Sequence, residues 1–193
     1  MVKVLFAEKI GMSQSIDESG VVTPVTIMQV LASSVVREDS GVQLIGVGVA
    51  SKKANNKAWR GQFKALSFCP SFIKGVQAPA DDLHVGLPAF SVGDEVSVRS
   101  RSKGRGFTGT IARHGFKRGP MSHGSKSHRI PGSIGAGTTP GRVLKGTRMA
   151  GRSGGGFVTV KGLKVVATDV EKGLIVLSGS VPGKNGWVQV LGG

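Results

Sequence analysis

Residues 99–152 read RSRSKGRGFTGTIARHGFKRGPMSHGSKSHRIPGSIGAGTTPGRVLKGTRMAGR, and the rest of the chain is read outward from them. The stretch carries thirteen Lys or Arg and no Asp or Glu. The acid-free window is wider still, from Val96 to Thr168, and holds fifteen of the 26 basic side chains. Outside it eleven basic and eleven acidic residues cancel, so the formal charge of +15 sits in one 73-residue block. Such a block repels itself and cannot bury enough apolar surface to fold as a free globule. A polyanion has to supply the opposing charge, and phosphate backbones do so at the required density. A solvated charge run is the ordinary explanation of a basic stretch. Fifteen cations without one acid count against it here.

Glycine and proline recur so often from Gly104 to Gly156 that no helix beyond about three turns fits there. Strand-like sequence flanks the block on both sides. Before it, Val2–Phe6 and Val21–Leu31 are rich in β-branched residues, with the turn formers Asp17–Gly20 between them. Leu44–Ala50 is a further short apolar run, and Phe90–Val98 reads as a turn at Gly93-Asp94 followed by a strand. After it come Phe157–Val166, Leu174–Ser180 and Gly186–Leu191, separated by turn chemistry at Glu171–Gly173 and Pro182–Asn185. Trp59, Phe63 and Leu66 recur at helical spacing, which predicts one short amphipathic helix within Asn55–Leu66. Cys69-Pro70, Ala78-Pro79 and the acidic pair Asp81 and Asp82 read as a loop-rich connection.

The fold class is therefore mainly β: a small closed β-barrel with an α-containing insert and a long basic loop. Residues 1–50, 86–103 and 153–193 form the body, 51–85 the insert and 104–152 the loop. The loop is an excursion from the body, not a tail. Each arm has about 24 residues, and fully extended at ~3.3 Å per residue its tip lies up to ~80 Å away. A loop of that length inside a compact domain argues against itself unless a partner orders it.

Composition excludes several classes. A single cysteine, Cys69, rules out an internal disulfide framework and fits a reducing compartment. No apolar run reaches membrane-span length, and Glu8 and Lys9 cut the N-terminal apolar run too short for a signal peptide. Gly104–Gly109 matches G-x-G-x-x-G, but Gly115, Gly119 and Pro120 break the helix a dinucleotide site needs, and no acid follows until Asp169. Gly119–Gly124 resembles the opening of a phosphate loop, but Ser125 stands where the lysine belongs. His114, His123 and His128 have no Cys, Asp or Glu nearby to complete a metal shell or a catalytic pair. They read instead as stacking or phosphate-bonding groups, with local packing as the alternative ahead of catalysis or metal binding, so no catalytic residue, metal or cofactor is expected. A cationic membrane-active protein would need a long amphipathic helix, which the glycines and prolines oppose.

The glycines have a positive account: main-chain N–H groups approach phosphates closely where no Cβ intervenes. Ser122, Ser125, Ser127, Ser133 and Thr139 add neutral donors, while Phe107 and Phe116 are expected as apolar anchors at the root of the loop, with base stacking as the alternative for either.

Residues 102–151 closely resemble the signature of the L-three family of large-subunit ribosomal proteins, in its bacterial or organellar form. The likeness extends to Lys9–Gln14, Pro24-Val25-Thr26, Lys57, Gly61–Lys64, Phe90, Gly93-Asp94, Val158–Val160 and Gly179–Gly183, nearly the whole chain. The resemblance implies a six-stranded barrel of the translation-protein type whose central loop penetrates large-subunit ribosomal RNA. It implies binding early in subunit assembly, with the tip near the peptidyl-transferase centre and no chemistry performed. Carried onto this chain, Lys103, Arg105, Arg113, His114, Lys117 and Arg118 line the outgoing limb, continued by His123, Lys126, His128 and Arg129. Ile134, Gly135, Ala136, Gly137, Thr138 and Thr139 form the tip, and Arg142, Lys145, Arg148 and Arg152 the return. The implied partners are large-subunit ribosomal RNA and neighbouring large-subunit proteins, with no membrane and no small-molecule substrate. The implied location is a cytoplasmic ribosome ahead of an organellar one. Three departures stand out. Ala136–Thr139 lacks the glutamine that many bacterial members methylate, Ala112 stands where Lys is common, and Gly154–Gly156 replaces a more polar stretch, loosening the hinge.

Overall fold

A computed structural model describes residues 2–39, 41–50, 56–64, 66–78, 83–184 and 186–192. The described chain is mainly β, with two short helices. It divides into two compact units, residues 1–102 with 157–193, and residues 103–156.

The first unit begins with β1 (Val2–Ile16), which turns through Asp17–Gly20 into β2 (Val22–Val30). Their antiparallel register runs from Ala7↔Val30 to Ile16↔Val22, with a bulge between Lys9 and Gly11. β1 is far longer than the strand expected over Val2–Phe6. Its far half is largely exposed, so it tolerates the polar Ser13 and Gln14, where apolar patterning alone gives no strand signal.

β3 (Ser33–Asp39), β4 (Val42–Val49) and β5 (Pro70–Gln77) form a separate three-stranded antiparallel sheet, with β4 in the middle. Of these only β4 was legible. β3 is a polar edge strand, and β5 replaces the expected loop-rich connection. Pro70 opens β5, where a missing N–H is tolerated, while Gly75 approaches Val42 closely, so both residues read as loop but serve a strand. This sheet straddles the boundary drawn at residue 50. Pro79, Asp81 and Asp82 lie outside the described residues, as do Asn55 and Asn185.

Within the predicted helical stretch, α1 spans Lys57–Gln62. The Asn56 side chain caps it, its Oδ1 accepting from the Trp59 N–H at 2.8 Å. Trp59 packs edge-on against Phe63 at 4.9 Å, and its indole N–H donates to the Pro70 carbonyl at 2.7 Å. α1 is thereby tied to the start of β5.

The remaining strands are β6 (Leu83–Val85), β7 (Glu95–Arg101), β10 (Phe157–Asp169), β11 (Leu174–Ser178) and β12 (Trp187–Gly192), with β8 (Phe107–Thr108) and β9 (Gly151–Arg152) in the second unit. The main sheet is seven-stranded in the order β12-β7-β10-β11-β2-β1-β6, and β12 also pairs with β1. Six strands therefore pair in a closed cycle, every pairing antiparallel. β6 lies outside the cycle, parallel to β1.

Alternation along β1 supplies two cores. Leu5 and Ala7 join Met28, Val96, Val98, Ile175, Leu177, Val188 and Val190 in one buried cluster. Val4 and Phe6 point the other way, into a cluster with Ile45, Val47 and Val76 of the smaller sheet. β1 thus joins the strand cycle to the three-stranded sheet, which explains why its first half is apolar on both faces.

Lys3 Nζ donates to Asp94 Oδ2 at 2.7 Å, tying β1 to the turn before β7. That bond, with a further one from the Ser91 N–H, holds the Asp94 carboxyl below its ordinary value of 3.8. A folded-state pKa that is depressed stabilises the protein above the ordinary value, and the contribution is lost as pH falls through the folded value. Asp94→Asn is therefore expected to lower the urea midpoint at neutral pH. Well below 3.8 the variant and the parent should denature alike; a pH-independent difference between them would contradict this origin.

Candidate nucleic-acid interface

The second unit, residues 103–156, carries eleven Lys or Arg and no carboxylate. With no apolar core of its own, its order comes from main-chain bonds between limbs. β8 (Phe107–Thr108) pairs with β9 (Gly151–Arg152), Phe107 opposite Arg152. The ladder continues beyond them: the Arg105 N–H donates to the Ser153 carbonyl and the Ser153 N–H to the Gly106 carbonyl, each at 2.9 Å.

Gly154 sits against this ladder at φ +68°, and a Cβ there would fall on the Lys103 carbonyl oxygen. Gly154, one of the three glycines read as loosening the hinge, thus lets two backbones meet closely.

α2 (Thr110–His114) follows β8 and ends at Gly115, whose φ of +72° closes it in a left-handed cap. This short helix carries Arg113 and His114 to the return limb. Arg113 Nη1 and His114 Nε2 both donate to the Met149 carbonyl, at 2.8 and 3.0 Å. His128 Nδ1 donates to the Pro120 carbonyl at 2.8 Å, and the Gly119 N–H to the His128 carbonyl at 2.9 Å, closing a small lobe. His114 and His128 thus brace the unit through one ring nitrogen each, an internal role that spacing did not reveal. His123 takes φ +58° in the turn before Gly124, a conformation His adopts more readily than most side chains.

The expected contact residues are on the surface. Lys103, Arg105, Arg113, Lys117, Arg118, His123 and Lys126 are exposed, as are Arg129, Arg142, Lys145, Arg148 and Arg152; His114 and His128 are half-buried. Ile134–Thr139 are all exposed, with local turns closed by Ser133 Oγ donating to the Gly135 carbonyl and by Gly141 N–H donating to the Gly137 carbonyl, both 3.1 Å.

One expectation fails. Phe107 is 80% exposed and anchors nothing, because its place in the two-residue β8 has no apolar layer to face. Phe116 is half-buried beside the His114 ring at 6.0 Å. Met121, Ile130, Ile134, Val143, Leu144 and Met149 are exposed alongside the cations. A surface at once cationic, apolar and free of acids suits a partner that brings phosphates and base faces together. Among the described residues no group of three or more His, Cys, Asp or Glu is placed to hold a metal, and no helix is long and apolar enough to cross a membrane.

Relatives share nearly the full length of this chain. The large ribosomal subunit protein uL3c of Cyanophora paradoxa is 43% identical to it over 94% of the chain and 93% of its own length. The chain belongs to the ribosomal protein L3 family. The family described as Ribosomal protein L3 matches residues 80–173, spanning the whole second unit and the strands beside it. The large ribosomal subunit proteins uL3 of Nostoc sp. and of a Prochlorococcus marinus strain are 44% and 43% identical, over 94% of this chain and 92% and 89% of theirs. The L3 family is structural, not enzymatic.

Gly119 gives a direct probe of the lobe. A Cβ there would fall on the Ser127 carbonyl oxygen, whereas one at Gly109 meets nothing within 4 Å. Gly119→Ala should therefore strain the lobe by about 1–3 kcal/mol, a typical cost of overpacking. The RNA binding proposed below should weaken in this variant, while Gly109→Ala leaves it unchanged. Equal behaviour of the two in filter binding would contradict the assignment.

Proposed function

We propose that this protein is a structural component of the large ribosomal subunit that binds large-subunit ribosomal RNA with residues 103–156. The single observation that carries the reading is the segregation of charge: a separate unit with eleven cations, no acid and no apolar core. Lys103, Arg105, Arg118, Lys126, Arg142 and Arg148 are assigned to the phosphates. Arg113 and His114 hold the limbs together and present their remaining donors to RNA. The exposed turns of Ile134–Thr139 are the tip that reaches toward the peptidyl-transferase centre. The closed cycle of six antiparallel strands is the barrel that anchors the unit, and neighbouring large-subunit proteins are further partners. Binding early in subunit assembly follows from the same logic, because a tip enclosed by RNA has to be in place before the RNA closes.

A salt titration tests the electrostatic core of this reading. Each neutralised phosphate contributes about −0.7 to −0.9 to the slope of log affinity against log salt. With about ten contacts the slope is about −7 to −9, so binding should weaken roughly 10⁴- to 10⁵-fold between about 50 and 200 mM salt. A slope near zero would sink the proposal.

A further inference from the structure

A second cluster of cations and aromatic rings lies within the first unit, on strands that the basic loop does not include. Trp187 opens β12 and packs on Phe72 of β5, ring centroids 5.3 Å apart, and edge-on against Phe6 at 6.3 Å. Phe157 opens β10 and covers another side of Trp187 at 5.6 Å. Unlike the rings beneath, Phe157 remains 50% exposed. Lys74 Nζ stands 4.7 Å from the Trp187 ring centre and 5.5 Å from that of Phe157, and the Arg99 guanidinium stands 5.4 Å from Phe157. Beside them a cleft of about 280 Å³ is lined by Ser100, Arg101, Phe157, Gly186 and Trp187.

The register explains the grouping. Arg101 is paired with Phe157, and Arg99 with Thr159 on one side and Gln189 on the other, so both arginines share one face with Phe157, while Lys74 comes from β5 of the smaller sheet. No acid occurs in residues 96–101, 157–168 or 187–192, and among the described residues neither Lys74 nor Arg99 has a carboxylate partner. Burial does not account for Phe157: a ring whose only task was packing would not be left half in solvent with two cations over it. Cations over ring faces gain a modest cation–π attraction and stay available to an anion.

We propose that this cleft binds one unstacked base of an RNA strand, the base taking the place of a cation over the half-exposed Phe157 ring while Lys74 and Arg99 turn to the adjoining phosphates. The Phe157 and Trp187 rings are tilted by 41° and too close to admit a base between them, so stacking uses the outward face. Aromatic stacking of this kind is tolerant of sequence and depends on the base being present. The proposal rests on the RNA-binding reading above and adds a subsite on the strand body to it.

The test uses the full chain with Trp59→Phe, which leaves Trp187 as the only tryptophan. Two probes of equal charge are titrated at one salt concentration: a short oligoadenylate and an abasic ribose-phosphate oligomer of the same length. The oligoadenylate should quench Trp187 fluorescence and bind about tenfold more tightly than the abasic probe. Phe157→Leu should abolish both differences while circular dichroism shows the strands still folded, and Phe157→Tyr should preserve them. If both probes bind equally and leave Trp187 fluorescence unchanged, the cleft holds no base, and the RNA-binding reading survives through the second unit. If quenching persists undiminished in Phe157→Leu, the stacking site is elsewhere and the proposal is overturned. Failure of both probes to bind at low salt would overturn the RNA-binding reading itself.

Discussion

Replacing residues 104–152 by a short Gly-Ser linker lowers affinity for large-subunit ribosomal RNA by about 10³-fold or more, the span between specific and non-specific binding, and leaves the strand cycle folded. The excision removes ten Lys or Arg and no acid. It also removes the glycine-rich turns whose main-chain donors the proposed function assigns to phosphates. Folding survives because the strands on either side are paired with each other: Arg101 is the register partner of Phe157, so a short turn suffices to join β7 to β10. Neither buried cluster of the first unit draws a residue from 104–152. Filter binding and circular dichroism together check both halves of the expectation. An unchanged dissociation constant would remove the second unit from the interface, and loss of the β signal would show that the strand cycle depends on it.

Phe6→Ala carries the largest expected loss of stability, about 3–5 kcal/mol for emptying a buried aromatic site. Phe6 is fully buried on the face of β1 that meets Ile45, Val47 and Val76, and Trp187 packs against its edge. Against a typical stability of about 5–15 kcal/mol this is a large fraction. For a chain of this size the melting temperature should fall by roughly 6–20 °C. Leu5→Ala, on the opposite face of the same strand, empties the other cluster at a cost of about 2–5 kcal/mol. Because one strand serves both cores, either change should be seen by probes of both. A melting shift below about 2 °C for Phe6→Ala would mean that the three-stranded sheet does not pack on β1.

Legibility in the sequence followed the physical signals available. The absence of acids from Val96 to Thr168 marked out the second unit because charge is additive and needs no fold to be counted. The strands whose residues alternate or run apolar were legible too, among them β2, β4, β7 and β11. β3 and β5 were not. Arg37, Glu38 and Asp39 make β3 look like a turn, and Pro70 and Gly75 make β5 look like a loop, while their strand character comes from pairing with β4. Tertiary context decided those residues, and local propensity could not. Arg113, His114 and His128 were recognised by type, but their bonds to Met149 and Pro120 depend on limbs that meet only in three dimensions. The Phe157–Trp187 cluster joins residues from β5, β7, β10 and β12, a separation that no motif could bridge.

The most direct measurement is sedimentation of a cell extract through a sucrose gradient containing about half-molar salt, where surface electrostatics are strongly screened. A loop enclosed by RNA should keep the protein in the large-subunit peak, because release then requires the RNA to open and not only counterions to exchange. Recovery of the protein solely at the top of the gradient, above intact large subunits, would contradict an integral structural role.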